Sequence, residues 1–219
     1  MAPSPISPAG LLGTDWTRIP TNARVVALTF DAGANANALP SILSTLDSTG
    51  TPATFFLTGA WIRSYPAQAR QLADRGAALG NHSDTHPHLP QLTNAQIAAE
   101  LAAAESSLAA ATGRRFDPFF RFPYGDTTPQ DIAVVNSQGY VCVRWTVDTL
   151  GWKGTSGGIT ADQVVNRVLG AAKPGEIVLM PVGSNPTDGS TLDADALPRV
   201  IAGLRSQGYG FTTLRAMQG

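Results

Sequence analysis

Two periods of apolar residues alternate along this chain. The run VVALTF at 25–30 is continuously apolar and β-branched up to Asp31, which predicts a strand buried on both faces. A helix follows, with Pro40, Ile42, Leu43 and Leu46 on its inner face and Gly50 as its stop. The strand signal repeats at 53–58, the helix signal at 65–75 with Gly76 as the stop, and 79–81 is a short third strand. In the longest predicted helix Thr93 and Gln96 form a capping box, Ile97, Leu101, Ala104 and Leu108 recur at helical spacing, and Gly113 ends it. Next come a strand at 119–122, a helix opened by Thr128 and Pro129 and closed near Gly139, and a strand at 140–147. A second capping box, Thr160 with Gln163, opens a helix carrying Val164, Val165, Val168 and Leu169. The chain ends with a strand at 177–180, a helix with Leu197, Val200, Ile201 and Leu204 stopped by Gly208, and a strand at 211–214.

Seven strands alternating with six helices predict a parallel α/β sheet with right-handed crossovers, either doubly wound or closed into a barrel. No Gly-rich dinucleotide fingerprint follows the first strand, so a barrel with fewer than eight strands fits better. No linker interrupts the pattern, which makes 21–219 one domain behind a Pro/Ala/Ser-rich tail at 1–20. With 43% hydrophobic residues in 219, a sizeable core is available. A net charge of −1 and a pI near 6.3 leave no basic stripe for nucleic acid and point to a neutral partner. The lone Cys142 excludes an internal disulfide and reads as a small buried hydrophobe. No stretch reaches the ~18 apolar residues of a membrane span. The start lacks the basic and apolar regions of a signal peptide. A monomer is expected.

All three histidines fall within 80–88. His82 and His86 are four apart, a spacing that lets two imidazoles share a metal ion. Pro87 biases His86 out of the helical region, toward a tight turn from which the two rings still converge. His88 reads as an exposed loop residue. In a barrel the working residues sit at the carboxyl ends of the strands. Here those ends carry Asp31, then His82 and His86, then the 121–125 stretch, then Asp148 with Trp152. Singly, each has a dull explanation as a cap, a turn or a surface pair. Together they supply the parts for hydrolysing an amide or ester. An imidazole-held cation polarises the carbonyl and sharpens a bound water, Asp31 takes that water's proton, and Arg121 keeps Asp31 ionised. A backbone N–H near Tyr124 receives the developing oxyanion. The loop at 183–195 reads as a substrate rim.

Five ordered motifs carry a resemblance. They are Thr29-Phe30-Asp31-Ala32-Gly33, the His82/His86 pair, Arg121-Phe122-Pro123-Tyr124-Gly125, Asp148 with Trp152, and Gly175-Glu176-Ile177-Val178-Leu179. In these the chain resembles the polysaccharide deacetylases, the family-four carbohydrate esterases, over roughly 25–215. The resemblance implies a distorted (β/α)7 barrel, removal of acetyl groups from sugar polymers of chitin or peptidoglycan type, and a divalent cation, zinc first and cobalt second. It makes Asp31 the base, His82 and His86 the metal ligands, and Arg121 the partner of the base. Tyr124 becomes the oxyanion donor, and Asp148 tunes the histidine acid of the last motif. Pro123, Trp152 and Leu179 contact substrate, Trp152 as groove wall and Leu179 in the acetyl pocket. A secreted or cell-wall location follows. The chain departs from the family twice. Ala32 stands where a second, metal-binding aspartate is usual, and Pro181 stands where the histidine acid is usual. Loss of that acid costs ~10²–10⁴-fold if nothing replaces it. Two alternatives stay open: a catalytically silent carbohydrate-binding member of the same fold, and a hydrolase of small amides or acetylxylan.

Overall fold

The computed structural model of the protein describes residues 8–218. In chain order they form β1 (Asp15–Trp16), β2 (Val25–Ala32), α1 (Leu39–Thr49), β3 (Thr54–Leu57), α2 (Gly59–Ser64), α3 (Pro66–Asp74), β4 (Ala78–Asn81), α4 (Asn94–Thr112), β5 (Phe119–Phe120), α5 (Pro129–Ser137), β6 (Val141–Val143), β7 (Val147–Asp148), α6 (Ala161–Ala171), β8 (Glu176–Pro181), α7 (Leu192–Ser206) and β9 (Gly210–Thr212), with short 3-10 turns between several of them. Two compact units result, neither continuous in sequence. The first is built from 8–17, 55–144 and 214–218, the second from 18–54 and 145–213.

In the first unit the strands lie in the order β1-β6-β5-β4-β3, and the β1–β6, β6–β5 and β5–β4 pairs are parallel. Phe55, Phe56 and Leu57 are all buried, so alternate side chains on both faces of β3 are out of water. Helix α4 packs against α2, α3 and α5. Its inner face is the predicted one, with Ile97, Leu101, Ala104 and Leu108 buried. Each of the three larger side chains contributes roughly 1.5–3 kcal/mol by leaving water. Its capping box forms as predicted, and Gly113 closes it at φ 70°.

In the second unit β2 pairs in parallel with β8 and β9, and β7 with β8. Helices α1 and α6 pack on α7, whose Leu197, Val200, Ile201 and Leu204 enter the core as their spacing predicts. The register sets Thr29 beside Leu179, Asp31 beside Pro181, and Asp148 beside Leu179, all in the carboxyl-terminal halves of their strands.

The structure corrects several boundaries. Helix α2 escapes periodicity because six residues show no period; Thr58 caps it by accepting the Trp61 N–H at 3.1 Å. Trp61 is 1% exposed and packs on Tyr65, so it belongs to the core. The run at 140–147 is two strands, β6 and β7. Arg144 N–H donates to Trp16 O, whereas Thr146 N–H donates to Ile177 O, so the ladder partner changes there. Of the predicted tail, residues 1–7 lie outside the described residues, but from Pro8 onward the chain is folded in. Leu11 is fully buried, the Trp16 indole donates to Leu11 O at 2.8 Å, and β1 pairs with β6. Helix α7 begins at Leu192, so the predicted rim loop ends four residues earlier and Asp193 and Asp195 sit in a helical first turn. Among the described residues no helix is long and apolar enough to cross a membrane.

Candidate active site

Strand β4 ends at Asn81 and delivers His82. Asn81 Oδ1 accepts the Ser83 N–H at 2.9 Å, and Ser83 Oγ accepts the His86 N–H at 3.1 Å. Ser83 and His86 take left-handed backbone, φ 69° and 61°. His86 thus leaves helical backbone, as Pro87 predicts, and the turn sets the two imidazoles edge to face with centroids 4.8 Å apart. Glu100 of α4 clamps this loop, accepting the backbone N–H of Asp84 and Thr85 at 2.9 and 2.8 Å and the Thr85 hydroxyl at 2.9 Å. Asp84 is held by a bidentate pair with Arg63 at 2.6 and 3.1 Å. Its carboxylate also explains Gly59, where a Cβ would lie 1.9 Å from Asp84 Oδ1.

His82 is 2% exposed, with Nδ1 2.8 Å from Arg121 O. A carbonyl oxygen only accepts, so Nδ1 carries the proton and Nε2 is the nitrogen able to bind a cation. The fully buried Arg121 is itself fixed. Its Nε and Nη2 donate to Val143 O and Arg144 O at 3.3 and 2.9 Å, and its guanidinium lies 4.1 Å over the Phe56 ring. Two residues on, Pro123 and Gly125 are buried while Tyr124 between them is 59% exposed at φ 59°, ψ −6°. Among the described residues the Tyr124 N–H has no protein acceptor. The Tyr124 ring meets His86 edge-on at 4.6 Å and stacks on His88 at 4.0 Å. His88 is the exposed loop residue its position predicts, and it is engaged as well: its Nδ1 is 2.7 Å from Asp126 Oδ2.

The second unit holds the other motif residues. Asp31 is the penultimate residue of β2, beside Pro181, and Val182 N–H donates to Asp31 O at 2.9 Å. Pro181 closes its strand, where a missing N–H is tolerated. Ala32, in the place of the usual second aspartate, is fully buried. Leu179 is 9% exposed, in register with Thr29 and Asp148. The Asp148 carboxylate accepts the Leu150 N–H at 2.8 Å and the Trp152 indole N–H at 3.2 Å, while Arg167 Nε donates to Asp148 O at 2.9 Å. Asp148 thereby positions Trp152, which is 49% exposed. The rim loop is laced to the same segment. Asn185 Nδ2 donates to Trp152 O at 2.9 Å, and Asp188 Oδ2 accepts the Ser156 N–H at 2.6 Å and the Thr155 hydroxyl at 3.0 Å. Hydrogen bonds from Ser190 and Ser156 hold the Asp188 carboxyl well below the usual carboxylate range.

Beneath this loop lies a carboxyl that the sequence does not announce. Asp193 is 2% exposed, and a Cβ on Gly151 would sit 1.7 Å from its Oδ2, so only glycine fits at 151. Burial pushes its pKa up to about 7. The Thr149 hydroxyl, out of bonding geometry with either carboxylate oxygen, draws it back in part, and the Asp148 charge adds to the rise.

Ser83, His86, Tyr124 and Leu150 are the non-glycine residues with positive φ among the described residues, and all four lie in these motif loops. Such conformations cost ~1–3 kcal/mol each and collect where geometry is imposed for function. For a metal, His82 and His86 fit as a two-nitrogen donor set of a kind that suits zinc and its neighbours. Among the described residues no group of three or more His, Cys, Asp or Glu side chains is arranged to hold an ion.

The polysaccharide deacetylase family model matches residues 18–143. The peptidoglycan-N-acetylglucosamine deacetylase of Bacillus cereus is 34% identical over 201 residues, covering 90% of this chain and 70% of that protein. The chitooligosaccharide deacetylase of Azorhizobium caulinodans is 30% identical over 205 residues, covering 90% and 96%. The crystal structure of a CE4 family pseudoenzyme from Bacillus anthracis, 28% identical, superposes with a TM-score of 0.86 over 96% of this chain and 71% of that one. A mutant of the same protein with restored enzymatic activity gives 29% and 0.86, over 96% and 73%. The parallel α/β fold, expected as a distorted (β/α)7 barrel, is thus the fold of the family-four carbohydrate esterases. Motif order, fold and relatives agree, and the chain belongs to the polysaccharide deacetylase family.

Proposed function

We propose that this protein is a hydrolase that removes acetyl groups from N-acetylated sugar polymers of the peptidoglycan or chitin type, acting as a monomer outside the cell or at the cell wall. The observation that carries the reading is in the first unit. There, paired imidazoles with a fixed Nδ1 proton stand beside a strained, exposed turn whose tyrosine N–H has no protein acceptor among the described residues. The names of the Bacillus cereus and Azorhizobium relatives support the substrate class.

His82 and His86 would hold a divalent cation, zinc first and cobalt second. When bound, such an ion polarises a carbonyl and lowers the pKa of water. The chain's own groups do the rest. Asp31 takes the proton of the attacking water, with Arg121 as the group that orients it. The Tyr124 N–H donates to the acetyl oxygen as it becomes negative. Trp152, held by Asp148, walls the groove, with Pro123 along it, and Leu179 lines the acetyl pocket. Acetate should be released from N-acetylglucosamine oligomers or peptidoglycan with zinc or cobalt added, and Asp31→Asn should abolish that release. No acetate from these or from acetylxylan, at high protein concentration and saturating metal, refutes the activity.

A second reading, a catalytically silent glycan-binding member, is favoured by Ala32 and Pro181 and by the pseudoenzyme standing of the Bacillus anthracis neighbour. It predicts glycan binding without turnover.

A further inference from the structure

The third histidine has no part in the chemistry above. His88 stacks on Tyr124 with ring centroids 4.0 Å apart and planes 14° from parallel. Its Nδ1 is 2.7 Å from Asp126 Oδ2, and Asp126 directly follows the Pro123–Gly125 turn. At 44% and 43% side-chain exposure, His88 and Asp126 would ordinarily be a surface pair of little consequence. What sets this pair apart is the ring it grips. A bulky aromatic residue adopts left-handed backbone only where its surroundings impose it. Tyr124 is 59% exposed, so core packing does not. The ring contacts that hold it are His88 on its face and His86 on its edge.

We infer that His88 is a positioning residue. Stacked on its face, the His88 ring clamps Tyr124 in the left-handed conformation and so fixes the direction of the Tyr124 N–H. The clamp acts ring on ring, and a phenylalanine at 88 would serve it. Its catalytic consequence rests on the deacetylase reading, but its structural consequence does not.

The chain has four tyrosines, Tyr65, Tyr124, Tyr140 and Tyr209, so 15N-tyrosine labelling gives a spectrum simple enough to assign by loss of one cross-peak in Tyr124→Phe. The heteronuclear NOE of the Tyr124 amide should fall in His88→Ala, return in His88→Phe, and stay constant for the other three tyrosines. A Tyr124 NOE unchanged in His88→Ala overturns the clamp. In acetate release, His88→Ala should lower kcat about three- to tenfold, as loss of one aromatic stack allows, with KM unchanged and His88→Phe recovering the rate. An undiminished kcat alongside a loosened Tyr124 would sink the catalytic half. Wild-type protein that releases no acetate would sink the deacetylase reading, and the NOE would still decide the clamp.

Discussion

Replacing Asp193 by asparagine keeps the side chain's shape and removes its charge. The carboxyl is 2% exposed, lies against the Gly151 backbone, and is raised by burial from 3.8 to about 7. In the unfolded chain the proton leaves near 3.8, whereas the folded protein holds it to about 7. Stability therefore falls as pH rises through this window and levels off beyond it. Across about three pH units, at about 1.36 kcal/mol per unit, the loss reaches up to ~4 kcal/mol. For a chain of this size that is a Tm shift on the order of 10 °C. Asp193→Asn does not titrate there, so its Tm relative to wild type should rise between about pH 4 and about pH 8. Glu176, fully buried and likewise pushed to about 7, adds the same slope to both proteins and cancels in the difference. Thermal unfolding followed by circular dichroism across that range reads the gap directly. A gap that does not change with pH refutes the reasoning, whatever its size.

Three further outcomes follow from the same loops. Gly151→Ala should destabilise by ~2 kcal/mol or more, because a Cβ at 151 meets Asp193 Oδ2 at 1.7 Å, and adding Asp193→Ala should recover part of the Tm. Trp152→Ala should raise KM for oligosaccharides severalfold with little change in kcat, since Asp148 holds the indole as wall and not as reactant. Pro181→His places an imidazole beside Asp31 at the end of β8, and acetate release should rise ~10²-fold; an unchanged rate would show that the missing acid is not the limiting defect.

Much of the scaffold is legible in the chain because its long elements carry their own punctuation. The capping boxes of α4 and α6 and the buried stripe of α4 are local, so the sequence states them directly. Helix α2 and strand β1 are too short to show a period and owe their form to neighbours: α2 to the Thr58 cap and the Asp84 carboxylate against Gly59, β1 to its ladder with β6. At the site, ordered motifs single out His82, His86, Arg121 and Tyr124 because chemistry restricts those residue types. His88, Asp126 and Asp193 stay hidden because nothing in their types or spacing distinguishes a stacked imidazole or a buried carboxyl from ordinary loop and helix-cap residues. Pro87 illustrates the middle case. Its effect on His86 is predictable as a departure from helix, while the resulting left-handed turn depends on Ser83 Oγ.

The most direct measurement of the central claim pairs metal content with turnover. Wild-type protein and His82→Ala, stripped with chelator and reloaded with zinc, are analysed for bound metal per chain and for acetate released from N-acetylglucosamine oligomers. About one zinc per wild-type chain, acetate release only after reloading, and loss of both in His82→Ala are expected. Undiminished release from chelated protein, or from His82→Ala, would contradict that claim.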